Sequence, residues 1–435
     1  MENQNQVLER LRLVFRSGIT IPAQFRLSQL NQLMSMIQEN EEVILKALHQ
    51  DLAKPKFEAI MSEVDIVVNE LHFAIANFTS WMQPEYVSKN LATKLDDCFV
   101  RREPLGVVLI IGPWNYPLHL LLLPLVSAIA AGNCAVIKPS EVSAHTDRLM
   151  AELIPKYLSQ ECYTVVRGGA EETTSLLQLR FDHIFYTGSQ AVARIVMRAA
   201  SVHLTPVTLE LGGKCPCFIY ATRDALLPAL RQTLEQFYGK EPQKSPDMSR
   251  IVSDRHWTRL MELLKKTSGK VVVGGESDQE DKYIAPTVLV DVNEDDALMA
   301  EEIFGPILPI LTVESVEEGI DLMNRQEKPL ALYVFSDEAS VVNTVLERTS
   351  SGGFCSNDGI IHMCLPTLPF GGVGTSGFGS YHGRWGFETF SHRRAVMLRG
   401  WALERLNGLR YPPYQENKLS WLRWTTSAKS SCSLM

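Results

Sequence analysis

The chain is predicted to be an α/β protein with a doubly wound parallel sheet followed by a second α/β unit. Short apolar, β-branched runs alternate with stretches of helical period, and no internal repeat or low-complexity linker interrupts them. In the first eighty or so residues, Val7, Leu8, Leu11, Leu13, Val14 and Phe15, then Leu27, Leu30, Leu33, Met34 and Ile37, recur at three- and four-residue steps. These predict amphipathic helices that pack on a sheet. From Gly106 the run Val107-Val108-Leu109-Ile110-Ile111 suits a strand buried on both faces and ended by Gly112-Pro113. A helix over Leu118 to Ala131, a strand over Cys134 to Ile137 and a helix over Ala144 to Leu158 follow. The alternation continues with a strand at Tyr163 to Val166, a helix at Glu171 to Leu179, a strand at His183 to Tyr186 and a helix at Gln190 to Ala200. After Gly212 candidate strands fall at Cys217 to Tyr220, Val271 to Val273, Thr287 to Val290, Ile307 to Val313, Leu330 to Phe335 and Gly353 to Ser356.

Composition narrows the class. With 435 residues, 45% hydrophobic and 21% charged, the chain can fill two or three domains with sizeable cores. A net charge of −8 argues against a nucleic-acid binder, which carries a basic face to neutralise phosphates. Residues 1–16 contain acidic side chains and no apolar core of a secretory signal, and the longest greasy run, Leu118 to Ala131, is too short to span a bilayer and contains Pro124. A cytoplasmic setting with reduced thiols is expected. Eight cysteines at irregular spacings form no metal-ligand pattern, so no metal is expected. Cys215-Pro216-Cys217 is read as buried structural thiols rather than a redox or metal pair.

Several segments can carry chemistry. In Val207-Thr208-Leu209-Glu210-Leu211-Gly212-Gly213-Lys214 a carboxylate sits between a β-type stretch and a glycine pair that lets another group approach, which suits a general base. Thr187-Gly188-Ser189 ends a strand and opens a helix, a place for an anion or an ordinary N-cap. Lys138-Pro139-Ser140-Glu141 lies beyond another strand, at the carboxyl edge where ligands of open α/β sheets bind; a solvated loop explains it equally. Pro113-Trp114-Asn115-Tyr116-Pro117 is a turn whose amide can donate a hydrogen bond. Glu301-Glu302-Ile303-Phe304-Gly305-Pro306 and Pro369-Phe370-Gly371-Gly372-Val373-Gly374 complete the set.

Together these segments resemble the aldehyde dehydrogenase superfamily, class 3, prenylated B-type branch, over about residues 5 to 410. The resemblance implies a Rossmann-like NAD(P)-binding domain (residues 1–80 and 105–212), a bridging or oligomerisation element (81–104 and 393–412) and a catalytic domain (213–392). It implies NAD or NADP as cofactor, oxidation of medium- or long-chain, lipid-derived aldehydes to acids, and a homodimer or a heterodimer with full-length subunits. Residue by residue, it makes Glu210 the base and Asn115 an oxyanion-hole donor. Lys138 and Glu141 would hold the adenosine ribose, Gly188 and Ser189 would face the dinucleotide phosphates, Glu302 would hold the nicotinamide ribose, and Phe304 would pack by the ring. At Ala193, where class 3 relatives commonly carry glycine, a methyl group would tighten helix packing or crowd the cofactor.

One departure is large. The family's nucleophilic cysteine should follow Glu210 in a Gly-Gln-Thr-Cys type loop, yet no such loop occurs and no cysteine lies between Cys217 and Cys355. The strand near Tyr220 runs almost directly into the amphipathic stretch Asp224 to Leu234, whereas relatives place a helix, the cysteine loop and a strand between those elements. The catalytic domain is therefore read as shortened near 222, with no identifiable nucleophile, and a non-catalytic, cofactor-binding or subunit-partner role stands as the alternative.

The C-terminal tail differs from the rest. Residues 399–435 hold six Lys or Arg against two acidic residues, and Trp421, Leu422 and Trp424 add interfacial groups. The end, Cys432-Ser433-Leu434-Met435, is a C-a-a-X box whose terminal methionine favours farnesyl. The stretch 413–435 is thus expected to anchor the protein peripherally on a membrane.

Overall fold

The computed structural model describes residues 3–401 and 407–427. Five helices open the chain: α1 (Gln4–Arg16), α2 (Ala23–Glu39), α3 (Glu41–Leu52), α4 (Lys56–Ala59) and α5 (Asp65–Trp81). Asn3 and Gln6 cap α1 reciprocally, and most of the predicted stripe is buried, with Leu11, Leu30, Leu33 and Ile37 fully enclosed, whereas Leu13 is exposed. A π-helical turn, Ile60–Val64, joins α4 to α5 and turns Glu63 inward.

After the short strand β1 (Glu85–Tyr86) and the longer β2 (Asp97–Pro104), the doubly wound unit begins. Its chain order is β3 (Val107–Ile111), α6 (His119–Ala131), β4 (Cys134–Lys138), α7 (Ala144–Tyr157), β5 (Tyr163–Val165), α8 (Ala170–Leu177), β6 (His183–Gly188), α9 (Gln190–His203) and β7 (Val207–Leu211). Strands β3 and β4 are buried along their whole length, as continuous apolar strands covered on both faces should be. Helix α6 is apolar on all sides and lies against both of these strands and α5.

The second unit contains β8 (Cys217–Ile219), α10 (Arg223–Tyr238), α11 (Asp254–Lys266), β9 (Lys270–Val273), β10 (Ser277–Asp278), β11 (Tyr283–Ile284), β12 (Thr287–Val290) and β13 (Ile307–Pro309). It continues with α12 (Val316–Arg325), β14 (Ala331–Phe335), α13 (Ala339–Arg348) and β15 (Gly353–Ser356). The predicted strand Ile307 to Val313 is cut short at Pro309, because proline supplies no N–H to a ladder. The last elements are β16 (Gly377–Phe378), α14 (Gly383–Thr389), β17 (Ser391–Leu398) and α15 (Glu416–Thr426).

The main sheet has six strands in the order β16-β7-β6-β3-β4-β5, parallel except for β16. Tyr381, Phe387 and Phe390, from the stretch that sequence assigned to the catalytic domain, are buried in the core of this first sheet. The chain returns there because β16 pairs with β7, placing Gly377 opposite Glu210. Behind Gly212 two separate three-stranded sheets form, β13-β12-β9 and β15-β14-β8. Each has its own core, and that of the β8 sheet is small: Ile320, Leu332, Val334 and Val345 are its buried members. A further sheet, β1-β2-β17, ties two distant parts of the chain together, with Ser391 to Leu398 paired against Pro104 to Asp97. Among the described residues no helix is long and apolar enough to cross a membrane.

Candidate active site

Parallel pairing brings the candidate residues of the first unit to one edge. Ile111 lies opposite Lys138 and Tyr186, and Gly188 opposite Leu211, so the carboxyl ends of β4, β3, β6 and β7 stand side by side. The loop with Asn115 leaves β3 there, Lys138 closes β4, Gly188 closes β6, and Glu210 precedes the end of β7. This is the crevice where open α/β sheets take their ligands.

The Lys138 side chain is buried, and its Nζ bonds Glu141 Oε2 at 2.6 Å, leaving Glu141 half exposed at the rim. Gly188 permits close approach, since a Cβ there would strike the Tyr186 hydroxyl. Ser189 caps α9, its hydroxyl accepting from Val192 N–H at 3.4 Å, so the local N-cap reading of this turn holds. The capping leaves α9 directed with its N-terminus at the crevice edge, which favours an anion. Thr187 Oγ1, next to these groups, is buried without a hydrogen-bond partner among the described residues. An unsatisfied buried hydroxyl beside a glycine that clears space fits a bound dinucleotide. Ala193 is buried in the core under α9, so its methyl serves helix packing.

Glu302 and Phe304 come to the same crevice from the second unit. A Cβ on Gly212 would strike the Glu302 carboxylate, so the glycine pair lets that side chain dock against the end of β7. Burial pushes the Glu302 carboxyl up, opposed by Gly213 N–H and the nearby Lys214 and Arg259. Arg259 bonds Glu301 Oε1 at 2.9 Å and the Ile303 carbonyl, and Lys214 Nζ bonds the Leu298 carbonyl at 2.6 Å, fixing the loop. Phe304 is held in left-handed backbone at φ 54° and stays partly exposed, its ring edge-on to Trp114 with centroids 5.1 Å apart.

Glu210 is buried, and neither carboxyl oxygen meets a hydrogen-bond partner among the described residues. Loss of water alone raises its pKa well above the carboxylate range. This enclosure disfavours the ionised form that a general base needs. The Asn115 side-chain amide makes no hydrogen bond to another described residue. Its carbonyl accepts from Lys54 Nζ at 3.2 Å.

Lys54 and Glu63 went unnoticed in the sequence. Lys54 Nζ meets Glu63 Oε1 at 2.6 Å, with both side chains buried, and Glu63 Oε2 accepts from Leu118 and His119 N–H at 3.0 Å each. The pair therefore caps α6 and pins the Asn115 loop; the lysine also lies 4.2 Å from the Tyr116 ring centre. The only local signal was a lysine nine positions before a glutamate on an apolar stretch, and a π-helical turn sets their meeting.

The thiols lie elsewhere. Cys215 and Cys217 are exposed, which corrects their reading as buried structural cysteines: β8 is an edge strand, so nothing covers its outer side. The sulfurs are still desolvated enough for burial to push both thiols up, and Cys215 Sγ accepts from Ala331 N–H at 3.4 Å. Cys432 lies outside the described residues. Among the described residues, no group of three or more His, Cys, Asp or Glu is placed to hold a metal ion.

Comparison with known proteins matches this geometry. The model of the aldehyde dehydrogenase family matches the chain in two pieces, residues 5–255 and 222–396, which overlap around α10. Human aldehyde dehydrogenase family 3 member B1 is 50% identical over 470 aligned positions covering all of both chains. Because this chain has 435 residues, that alignment leaves at least 35 positions at which the relative has no counterpart here. A substrate-bound structure of Staphylococcus aureus AldH, 38% identical, superposes with a TM-score of 0.93 over 97% of this chain and 99% of its own. An indole-3-acetaldehyde dehydrogenase solved with NAD+, 23% identical, shares the fold at a TM-score of 0.83 over 91% and 89% of the two chains. The crevice, its glycine-cleared edge and these matches together place the chain in the aldehyde dehydrogenase family, on the class 3, B-type branch, and make it by family an NAD(P)-dependent aldehyde dehydrogenase.

Proposed function

We propose that this chain is a shortened member of a lineage that oxidises medium- and long-chain, lipid-derived aldehydes, and that it keeps the dinucleotide crevice without a nucleophile of its own. The observation that carries the reading is the direct passage from β8 through Ala221 and Thr222 into α10, with no cysteine between Cys217 and Cys355. The family's reaction needs a thiolate beside the reacting carbon, and catalytic distances are set to fractions of an ångström. Cys215 and Cys217 do not supply it: they stand at the edge of a separate sheet, with thiols whose pKa burial raises. Glu210, sealed from water, has no thioester to serve.

What remains is binding. Lys138 and Glu141 would hold the adenosine ribose, the α9 N-terminus with Gly188 and Ser189 would receive the phosphates, and Glu302 and Phe304 would flank the nicotinamide end. When bound, NAD or NADP supplies a hydride acceptor; the buried Lys138 tolerates either ribose. Asn115, whose backbone carbonyl Lys54 holds, would donate its amide to an aldehyde oxygen. The chain would act as a cofactor-binding subunit in a homodimer or in a heterodimer with full-length members.

The tail supports a membrane site for this subunit. Helix α15 carries exposed Trp421 and Trp424, packed edge-to-face 5.8 Å apart, with Lys418 and Arg423 on the same helix. A prenyl group on Cys432 would be the second anchor, since one chain alone holds weakly. Titration of the purified protein with NAD and with NADP, read by tryptophan fluorescence, should saturate, while a long-chain aldehyde added with either cofactor should give no steady reduced cofactor. Sustained turnover would overturn the loss of the nucleophile, and no saturation with either dinucleotide would overturn the retained crevice.

A further inference from the structure

We propose that the second unit is a strand acceptor: the slot between β8 and β13 takes an extended segment supplied in trans by a longer member of the family, the segment this chain lacks after β8. This rests on the reading above that such a segment is missing. Strands β8 and β13 are each outermost in their sheet. The two small sheets share no strand, and the loops after β8, β12 and β13 gather around a 470 Å³ cavity lined by Thr222, Arg223, Asp224, Asp291, Val292 and Thr312. A second cavity of 220 Å³ continues it along Leu311, Thr312 and Val313 toward Leu322 of α12. Arg223 and Asp291 bridge the mouth at 2.7 Å, both partly exposed, so a light latch spans it.

The backbone directions suit one inserted strand. On β8, Pro216 O accepts from Tyr333 N–H at 3.0 Å and Tyr220 N–H donates to Phe335 O at 2.9 Å. Alternation along a strand then turns the N–H groups of Cys217 and Ile219 away from β14, to the open edge. On β13, Pro306 O accepts from Thr287 N–H at 2.8 Å and Ile310 N–H donates to Leu289 O at 2.8 Å. The carbonyls of Ile307 and Pro309 therefore face away from β12. The β8 edge thus presents the N–H groups of Cys217 and Ile219 together with the Cys217 carbonyl, and the β13 edge presents carbonyls, backbone groups outside any ladder that an added strand can pair.

Side chains agree. Ile219, Tyr220 and Leu308 are 36%, 49% and 46% exposed, and α10 beside them buries no residue, although it is amphipathic. The apolar faces of the slot are thus left for a neighbour. The occupant is indicated by length and place: the human B1 relative carries at least 35 positions unmatched here, and the two pieces of the family match overlap over residues 222–255, which begin just after β8. A segment that long holds a strand together with the turns that deliver it, and exchange of an equivalent element between related chains is a low-cost route to association.

The test uses the purified full chain and a synthetic peptide copied from the unmatched segment of the human B1 relative, with its cysteines replaced by serine so that no disulfide can hold it. Calorimetric titration should give one peptide per chain, and at about 100 times the Kd the melting temperature should rise by several degrees. A scrambled peptide should bind at least about tenfold more weakly. Ile219→Pro removes an N–H that serves the slot and not the β14 ladder, and it should weaken the peptide by about tenfold or more while dinucleotide binding is kept. Equal binding of the scrambled peptide, an unchanged affinity in I219P, or a β8-dependent dimer of this chain that shuts the peptide out would each overturn the proposal. Aldehyde turnover by the chain alone would count against the lost nucleophile and is read separately from peptide binding.

Discussion

At the scale of single residues, burial decides which charges this protein tolerates. The Lys54–Glu63 pair is enclosed and satisfied by two N–H donors, so removing one partner strands the other. Lys54→Met is expected to cost about 3–5 kcal/mol in a denaturant titration, more than an exposed pair such as Lys56–Glu42 would. Glu70 accepts from Gly383 N–H at 2.6 Å, but burial pushes its pKa up to about 7. The folded state then keeps a proton that the unfolded chain loses near pH 4.3, so this group's contribution is complete below about pH 4.3 and lost as pH rises through about 7. Burial also lowers His119 to about 3, and His183 and His382 to about 4. Their contribution is present above about pH 6.5 and lost as pH falls through those values. Glu70→Gln, which keeps the acceptor, is therefore expected to make the slope of melting temperature against pH more positive between about pH 4.3 and 7. An unchanged slope there in E70Q would remove Glu70 from this account.

At the scale of elements, the two halves differ in how much they bury. Strands β3 and β4 are wholly enclosed and α6 is apolar all round, whereas the β8 sheet has a core of four buried side chains and α10 has none. Local opening should follow that difference. In hydrogen–deuterium exchange, amides of β14 and α10 are expected to exchange at least about a hundredfold faster than those of β3 and β4. Equal protection would show the second unit to be as cooperative as the first. The open edges of β8 and β13 face solvent, so water satisfies their backbone groups, and the break costs cohesion between two sheets more than buried hydrogen bonds.

For the whole molecule, the dinucleotide crevice and the tail are separate assets. The crevice joins β4, β3, β6 and β7 with the Glu302 loop, while α15 touches the stretch around Leu91–Thr93 near the bridging sheet. Cys432→Ser is expected to shift the protein from the membrane pellet to the soluble fraction without changing its affinity for NAD. Retention in the pellet would mean that the basic, aromatic tail suffices, or that another surface anchors the chain.

Much of the fold was legible because period is local: the apolar runs at Val107, Cys134, His183 and Thr287 are strands for the same reason they look like strands. The crevice residues were legible because their motifs sit at strand ends, and a parallel sheet brings those ends together. The strands β1, β2, β16 and β17 were not, since they are short or exposed and gain their partners from far along the chain. Sequence by itself determined the family, the lack of any cysteine between Cys217 and Cys355 and the basic, aromatic composition of the tail, each of which is written in consecutive residues. Only the tertiary structure decided that Glu210 is sealed without a partner among the described residues, that Lys54 and Glu63 hold the Asn115 loop, and that the strands after Gly212 form two separate three-stranded sheets. Those depend on which distant side chains exclude water from one another, and no local pattern encodes that.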